Sequence, residues 1–325
     1  MEYAFQAEGL VKKFGKTTAL AGVDLAARPA TVLGVLGPNG AGKSTTVRIL
    51  ATLLRPDGGR ATVAGLDVVR QVGEVRRRIG LTGQDTTIDE DLTGTENLVL
   101  LGQLLDLRRP EAKARAAELL DRFGLTDVAG RRASTYSGGQ RRRLDLAASL
   151  VGRPEVIYLD EPTTGLDPTI RDEVWRMVRS LVADGVTVLL TTQYLAEADA
   201  LADQITVIDH GSVIAQGTAA ELKQIVGGQT IAVRPADPAE AERVAAIIGT
   251  VAGRPAETSD RGLVTVPVDG DARFSEAVRR LEAAGIAASE LSLRLPSLDE
   301  VFVTLTGRHT GQAMDDEAID DKESA

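Results

Sequence analysis

GPNGAGKS, at residues 37–44, fits the phosphate-binding pattern G-x-x-x-x-G-K-[ST]. It follows residues 31–36, a short and nearly all-apolar run that predicts a buried strand. It leads into a helix predicted over residues 43–54, which ends at a turn cluster of proline, aspartate and glycine. A strand before the glycines and a helix after them is the context in which this pattern binds phosphate, so the stretch predicts an α/β nucleotide site.

The chemistry of this loop follows from its glycines, its lysine and its serine. The glycines let backbone N–H groups converge on phosphate oxygens, and the helix N-terminus adds partial positive charge. We expect Lys43 to reach the β- and γ-phosphates and the Ser44 hydroxyl to ligate Mg²⁺. A glycine-rich turn that only caps a helix is the alternative, which the flanking strand and helix disfavour. The predicted phosphate-contacting residues are Gly37, Pro38, Asn39, Gly40, Ala41, Gly42, Lys43, Ser44 and Thr45.

Two acids, Asp160 and Glu161, follow a second apolar run at residues 156–159. The carboxyl ends of strands are where sites form in α/β proteins. We expect Asp160 to hold Mg²⁺ through its water shell and Glu161 to polarise the attacking water, because phosphoryl transfer depends mainly on positioning and charge. The alternative is an ordinary acidic helix N-cap, which Pro162 and the TTGLDP stretch at 163–168 disfavour.

A second candidate anion cradle, Ser137-Gly138-Gly139-Gln140, opens a predicted helix shortly before these acids. One domain cannot readily present both cradles to a single γ-phosphate. The simplest arrangement is a head-to-tail pair in which each SGGQ turn closes on the ATP of its partner. A plain surface turn would be the default for this tetrapeptide alone, and its distance from Asp160 argues against that default.

The rest of the chain predicts an α/β protein with a second, smaller α/β domain. Strand character at 187–190 and 205–208 alternates with helices and predicts a mostly parallel core. The first 20 or so residues predict antiparallel strand, and residues 91–152 an inserted helical subdomain. The predicted domains are 1–228, 229–308 and an acidic, disordered tail at 309–325. In the second domain we predict strands at 230–233 and 263–268 and helices at 239–248 and 274–284.

Composition excludes several classes of protein. The chain of 325 residues is 43% hydrophobic, which suits packed cores, and it lacks cysteine, which rules out disulfides and thiolate metal sites. Its net charge of −10 argues against a nucleic-acid binder held by broad electrostatics. No apolar run approaches the roughly 18 residues that cross a bilayer, so we expect another chain to supply any membrane-spanning part.

Together these motifs resemble the ATP-binding subunits of ABC transporters over residues 1–228. The resemblance implies a P-loop NTPase fold with a RecA-like core, an antiparallel β subdomain and an inserted helical subdomain. It also implies that Phe14 stacks on adenine, that Gln84 touches Mg²⁺ and relays to the membrane partner, and that Asp167 communicates across the dimer. For Phe14, a half-buried strand aromatic stays the alternative.

The switch position after residues 188–190 departs from the family pattern. It is usually histidine and here is Gln193. An amide can donate a hydrogen bond to the γ-phosphate, yet it does not titrate near neutral pH as imidazole does. We therefore expect Gln193 to act in the catalytic site as a phosphate sensor and not as a proton carrier.

A narrower resemblance rests on DLTGTENL at 91–98 and LDEVF at 298–302, which are similar to the daunorubicin-resistance type of drug-export ATPase. It implies antibiotic or drug efflux through a separate polytopic membrane permease, ATP-driven homodimerisation and a peripheral location on the cytoplasmic face of the cell membrane. Export of lipid, glycan or ion stays open. A soluble ABC ATPase acting on nucleic acid or ribosomes is less favoured, because the chain lacks a second fused ATPase domain, a long coiled coil and a cysteine zinc module. Whether residues 229–308 bind a ligand, dimerise or dock the permease also stays open.

Overall fold

The computed structural model describes residues 2–83, 88–225, 229–259, 262–268, 270–294 and 297–306. The chain folds into two compact units, with the second beginning at Ala220. That division lies a few residues before the boundary expected at 228. The tail expected at 309–325 lies outside the described residues.

The described residues of the first unit form two sheets, with helices between their strands. Its strands are β1 (Phe5–Phe14), β2 (Thr17–Ala27), β3 (Val32–Leu36), β4 (Gly58–Val63), β5 (Leu66–Asp67), β6 (Ile79–Thr82), β7 (Val156–Asp160), β8 (Thr187–Thr192), β9 (Gln204–Asp209) and β10 (Ser212–Gly217). Its helices are α1 (Lys43–Leu50), α2 (Val72–Arg76), α3 (Gly94–Leu104), α4 (Arg109–Arg122), α5 (Gly138–Ser149), α6 (Pro168–Ala183) and α7 (Leu195–Leu201), and α8 (Ala219–Ile225) spans the division.

The central sheet has the order β10-β9-β3-β8-β7-β6 and is parallel except at the β10 edge. Every residue of β3, β7 and β8 is buried. A parallel sheet is covered on both faces by its crossovers, so continuous apolar runs become its inner strands. The predicted α/β core is confirmed, and the strands after which the functional motifs fall are neighbours in it.

The N-terminal strands form a separate antiparallel sheet, in the order β2-β1-β4-β5. Its apolar face shares one hydrophobic core with the central sheet, in which the rings of Phe5 and Tyr158 meet edge to face with centroids 6.1 Å apart. The alternation predicted for the first 20 residues therefore belongs to a half-buried antiparallel sheet.

Helices α3, α4 and α5 fill the segment predicted to be helical, 91–152. Two of them begin at capping boxes, Thr93 with Glu96 and Ser137 with Gln140. Leu98, Leu119 and Leu144 are fully buried in a common core. The helix predicted over 43–54 ends earlier, at Leu50, because Thr52 takes a left-handed φ of 61° and the next two amides return to the Arg48 carbonyl.

The second unit is a small sheet packed against two helices. Its elements are β11 (Thr230–Pro235), α9 (Ala241–Ala252), β12 (Glu257–Thr258), β13 (Val264–Pro267), α10 (Asp271–Ala283), β14 (Ala288–Arg294) and α11 (Leu298–Thr306). The antiparallel order β12-β13-β11-β14, with chain order β-α-β-β-α-β, is the ferredoxin-like arrangement. Ile231, Val266 and Ile248 lie in its core. The sequence analysis predicted β11, β13, α9 and α10 and missed β12 and β14.

Candidate nucleotide site

The phosphate loop runs from the buried end of β3 into α1, as predicted. Gly42, which precedes the helix, has a φ of 109°, and a Cβ there would lie 2.7 Å from the Ala19 carbonyl oxygen. At Gly37 a Cβ would collide with the carbonyl oxygen of Ile208. Glycine is needed at both positions for the backbone to pass, and this close passage lets the loop lead directly into the N-terminus of α1.

Lys43 lies almost entirely inside the loop, with 5% of its side chain exposed. Its Nζ donates to the carbonyl oxygens of Gly37 at 2.7 Å and Pro38 at 3.1 Å, and lies 3.7 Å from Glu161 Oε1. Burial lowers the pKa of Lys43, while the charges of Glu161 and Asp160 oppose that shift. The loop thus holds its cation beside the place where phosphate would lie.

Ser44 and Asp160 meet although 116 positions separate them in the chain. The Ser44 hydroxyl donates to Asp160 Oδ1 at 3.2 Å, and Asp160 is buried, with 7% exposure. They meet because β3 and β7 flank β8 on either side and end at the same edge of the sheet. A hydroxyl and a carboxylate side by side present the hard oxygen ligands that Mg²⁺ prefers, so these residues fit the ion.

Glu161 follows directly in a left-handed conformation, with φ of 50°. Such a backbone costs a non-glycine residue on the order of 1–3 kcal/mol and marks sites that the surrounding structure restrains. Its carboxylate accepts a hydrogen bond from the Thr164 hydroxyl at 3.3 Å and faces Lys43. The acid predicted to act on water is therefore held at the mouth of the phosphate loop.

A cavity of about 500 Å³ lies beside these groups. It is lined by the loop from Pro38 to Thr45 together with Glu161, Thr164 and Gln193. Sites for small ligands occupy roughly 300–1,000 Å³, so the cavity has room for the phosphates of a nucleotide. The structure thus brings the phosphate loop, the catalytic acid and the switch glutamine of the sequence analysis to one place.

Other predicted residues lie apart from this cavity. Among its described lining residues, neither Phe14 nor the turn Ser137–Gln140 is found. Phe14 is half exposed at the end of β1, with Lys12 Nζ 5.6 Å from its ring centroid. Asp167 caps α6 by accepting from the amides of Thr169 and Ile170, both at 3.0 Å. Gln84 lies outside the described residues, so its predicted contact with Mg²⁺ stays a prediction.

Comparison with known proteins identifies the family. The family model for ABC transporters matches residues 20–164. The chain is 55% identical over 310 residues to the daunorubicin resistance ATP-binding protein DrrA2 of Streptomyces coeruleorubidus, covering 95% of this chain and 96% of that one. It is 50% identical over 326 residues to the daunorubicin/doxorubicin resistance ATP-binding protein DrrA of Streptomyces peucetius, covering 99% and 98%. The chain belongs to the ATP-binding subunits of ABC transporters.

Solved structures agree with this membership. The chain aligns with a dimeric, post-hydrolysis ATP-binding cassette bound to ADP and phosphate, with a TM-score of 0.60 and 26% identity, over 66% of this chain and 98% of that one. As an ABC ATP-binding subunit, the chain binds and hydrolyses ATP, and the recognition made from its motifs is confirmed. No helix among its described residues is both long and apolar enough to cross a membrane.

The structure also reveals buried groups near the ABC site that the sequence analysis did not single out. Arg142 of α5 donates from Nε to the Pro162 carbonyl oxygen at 2.7 Å and from Nη1 to Asp145 Oδ2 at 3.1 Å. Glu197 of α7 is fully buried and accepts from Trp175 Nε1 at 3.1 Å. A single sequence gives no sign of either contact, because arginine, aspartate and glutamate are ordinary residues of solvated helices. Only the packing of α5, α6 and α7 shows that these side chains are inside.

Proposed function

We propose that this ATP-binding subunit powers the export of a drug or antibiotic through a separate polytopic membrane permease. The main support is its similarity to daunorubicin- and doxorubicin-resistance ATP-binding proteins along almost the whole of both chains. That match includes the second unit, so it extends beyond the parts shared by ATP-binding cassettes in general. The substrate class therefore follows this narrower group.

The residues around the cavity divide the chemistry among them. Loop amides and Lys43 bind the β- and γ-phosphates, and Thr45 lies beside them at the start of α1. Glu161 orients the water that attacks the γ-phosphorus, and its contacts with Thr164 and Lys43 hold it beside the loop. Gln193, which lines the same cavity, donates an amide hydrogen bond to the γ-phosphate.

Ser44 and Asp160 are the residues that would hold Mg²⁺, with Gln84 as a further oxygen ligand. A bound Mg²⁺ neutralises charge on the transferring phosphoryl group. The chain's own contribution is to keep the Ser44 hydroxyl and the Asp160 carboxylate together at the ends of two strands, as their 3.2 Å hydrogen bond already does.

A second copy of the subunit completes the site. The turn Ser137–Gln140 begins α5 with two exposed residues, Ser137 and Gly138, and it is not among the described residues that line the cavity of its own chain. In a head-to-tail homodimer this turn closes on the partner's γ-phosphate, and Asp167 lies at the same interface. Phe14 stacks on the adenine, for which its half-exposed ring is suited.

The subunit then works as a peripheral protein on the cytoplasmic face of the cell membrane. ATP closes the dimer, hydrolysis reopens it, and the cycle moves the paired membrane subunits. The second unit serves as an accessory domain of this assembly.

The test of the ATPase cycle is Glu161→Gln, which keeps the size of the side chain and the binding of ATP but cannot polarise water as a carboxylate does. We expect turnover to fall by about 1,000-fold, as is typical for loss of a positioned acid–base group, and ATP to trap a dimer, which sedimentation with and without ATP would measure. Lys43→Ala in the same background is the control and should stay monomeric. A Glu161→Gln variant that stays monomeric with saturating ATP would refute the head-to-tail cycle.

The exporter role is tested in two steps. The tagged chain is captured from gently solubilised native membranes and its partners are identified. Drug accumulation is then measured in cells that lack this subunit. Recovery of a polytopic protein in about equal amounts, with raised daunorubicin retention, supports the proposal. Unchanged daunorubicin retention with altered lipid or glycan export would assign another substrate. Recovery of ribosomal or DNA-repair partners alone would overturn the exporter and leave the ATPase intact.

A further inference from the structure

Thr191 lies directly beside the catalytic acids and had no role in the sequence analysis. It is the second-last residue of β8, the strand between β3 and β7, and its register partner in β7 is Asp160. Its side chain is fully buried. The parallel pairing therefore places a hydroxyl at the level of the Asp160 carboxylate, away from solvent.

The hydroxyl of Thr191 makes two hydrogen bonds of opposite sense. It donates to Asp160 Oδ1, the same oxygen that accepts from Ser44, and it accepts from the Glu161 N–H at 3.2 Å. A hydroxyl has one proton and two lone pairs, so donating to one group and accepting from the other fixes its rotation. One side chain thus links the carboxylate of Asp160 to the backbone of Glu161.

The main chain of Thr191 also holds the backbone of Glu161. The Glu161 N–H also points at the Thr191 carbonyl oxygen, at 3.1 Å. Glu161 has a left-handed φ of 50°, a conformation that persists only where neighbours hold it. Its amide is therefore held by both oxygens of a single residue on the next strand.

We propose that Thr191 is a positioning residue which orients Asp160 toward Mg²⁺ and keeps Glu161 in place for the attacking water. This rests on the proposed function, which assigns those roles to the two acids. The alternative is a core threonine whose hydroxyl only satisfies its own buried polarity. The two roles predict different results, because replacing a purely structural threonine changes the stability of the fold without changing the affinity for the metal.

The test compares variants that separate the hydroxyl from the methyl group. Thr191→Val keeps the shape and removes the hydroxyl, Thr191→Ala removes both, and Thr191→Ser keeps the hydroxyl. Thr206→Val is the matched control, because Thr206 is a buried threonine of β9 in the same sheet whose hydroxyl accepts from the Gln216 side chain and makes no described hydrogen bond with Asp160 or Glu161. Asp160→Asn removes the proposed metal-binding carboxylate itself, so its loss of Mn²⁺ affinity is the largest effect expected in the series.

The readouts are Mn²⁺ affinity in the presence of ATP, measured by electron paramagnetic resonance, ATP affinity in EDTA, and kcat at saturating Mg²⁺. Groups that orient metal ligands typically contribute about 10- to 100-fold to metal affinity or activity. We expect Thr191→Val and Thr191→Ala to weaken Mn²⁺ binding and to lower kcat by about tenfold each. ATP affinity without metal should stay within about twofold, and Thr191→Ser and Thr206→Val should resemble the wild type.

Three results overturn the proposal, and they are distinguishable. If Asp160→Asn weakens Mn²⁺ binding while both hydroxyl-free variants bind it normally, Thr191 does not position the acids and the proposed function stands. If Asp160→Asn itself leaves Mn²⁺ affinity unchanged, the assignment of the metal to Asp160 is wrong, and the role of Thr191 is lost with it. A Thr191→Ser variant as impaired as Thr191→Val would show that the hydroxyl does not by itself maintain metal binding, and would also overturn the proposal. If Thr191→Val does not fold, Thr191→Ala and Thr191→Ser carry the same comparison.

Discussion

Gly138 offers a way to separate what the SGGQ turn does within one chain from what it does in a dimer. It is the first residue of α5 and is exposed, and a Cβ added there meets no described atom of its own chain within 4 Å. Gly139 differs, since its Cβ would lie 3.0 Å from Ile170 Cδ1. The subunit alone therefore has no steric need for glycine at 138, and any need must come from a partner.

We expect Gly138→Ala to stabilise the folded monomer and to destabilise the ATP-bound dimer. Replacing glycine by alanine where the backbone is compatible stabilises a protein by about 0.4–1 kcal/mol, or about 1–4 °C in Tm for a domain of this size. In the proposed head-to-tail dimer the new methyl would lie between the turn and the γ-phosphate. Losing one charge-assisted hydrogen bond costs about 1.5 kcal/mol or more at each of two sites. We therefore expect ATP-dependent dimerisation to weaken by about 100-fold.

Sedimentation equilibrium in the Glu161→Gln background measures the dimerisation, and thermal melting of the monomer measures the stability. ATP affinity of the monomer should stay within about twofold, because Gly138 does not line the cavity. Gly130→Ala is the matched control, as Gly130 is also exposed and its added Cβ also meets no described atom within 4 Å. A Gly138→Ala protein that dimerises as tightly as its parent would show that the turn does not close on a partner's phosphate.

Two further predictions follow from single side chains near the site. Gln193→Ala should lower kcat by about tenfold with little change in ATP affinity, since it removes one hydrogen bond to a charged group. Gln193→His should restore turnover and introduce a fall in kcat below about pH 6.5 that the wild type lacks. A Gln193→Ala enzyme with normal kcat would contradict the sensor role. Burial raises the pKa of Glu197 from its ordinary 4.5. Hydrogen bonds from the hydroxyls of Thr192 and Thr163 and from the indole of Trp175, together with the charge of Arg142, lower the pKa and only partly offset that rise. Because its pKa is raised on folding, the folded state binds more protons than the unfolded one between the two pKa values, so this group's contribution to wild-type stability falls as pH rises through that window. Glu197→Gln, which keeps an acceptor for Trp175, should therefore gain stability relative to the wild type as pH rises from 4.5, and urea unfolding from about pH 4.5 to 8 checks the sign; a relative loss on raising the pH would contradict it.

Most of the candidate site could be predicted from sequence motifs, because each motif is made of residues that are neighbours along the chain. The glycines of residues 37–44 are required by a backbone path of only a few residues, and Asp160 and Glu161 are found by the apolar strand that they end. The buried strands were equally readable, since continuous apolar runs suit a sheet covered on both faces. In the second unit β14 was missed because its alternation of serine and glutamate with leucine suits a half-buried edge strand and is weak as a signal over seven residues.

By itself, then, the sequence determined the family and the nucleotide chemistry and predicted the residues that touch phosphate, because each is encoded by neighbours along the chain. Only the tertiary structure decided that Thr191 links Asp160 to Glu161 and that Glu197 is a buried acid. Those facts depend on which strand lies beside which and on which helix face is covered. Strand order and helix packing are set by contacts between residues far apart in sequence, such as Ser44 and Asp160, and no local pattern records them.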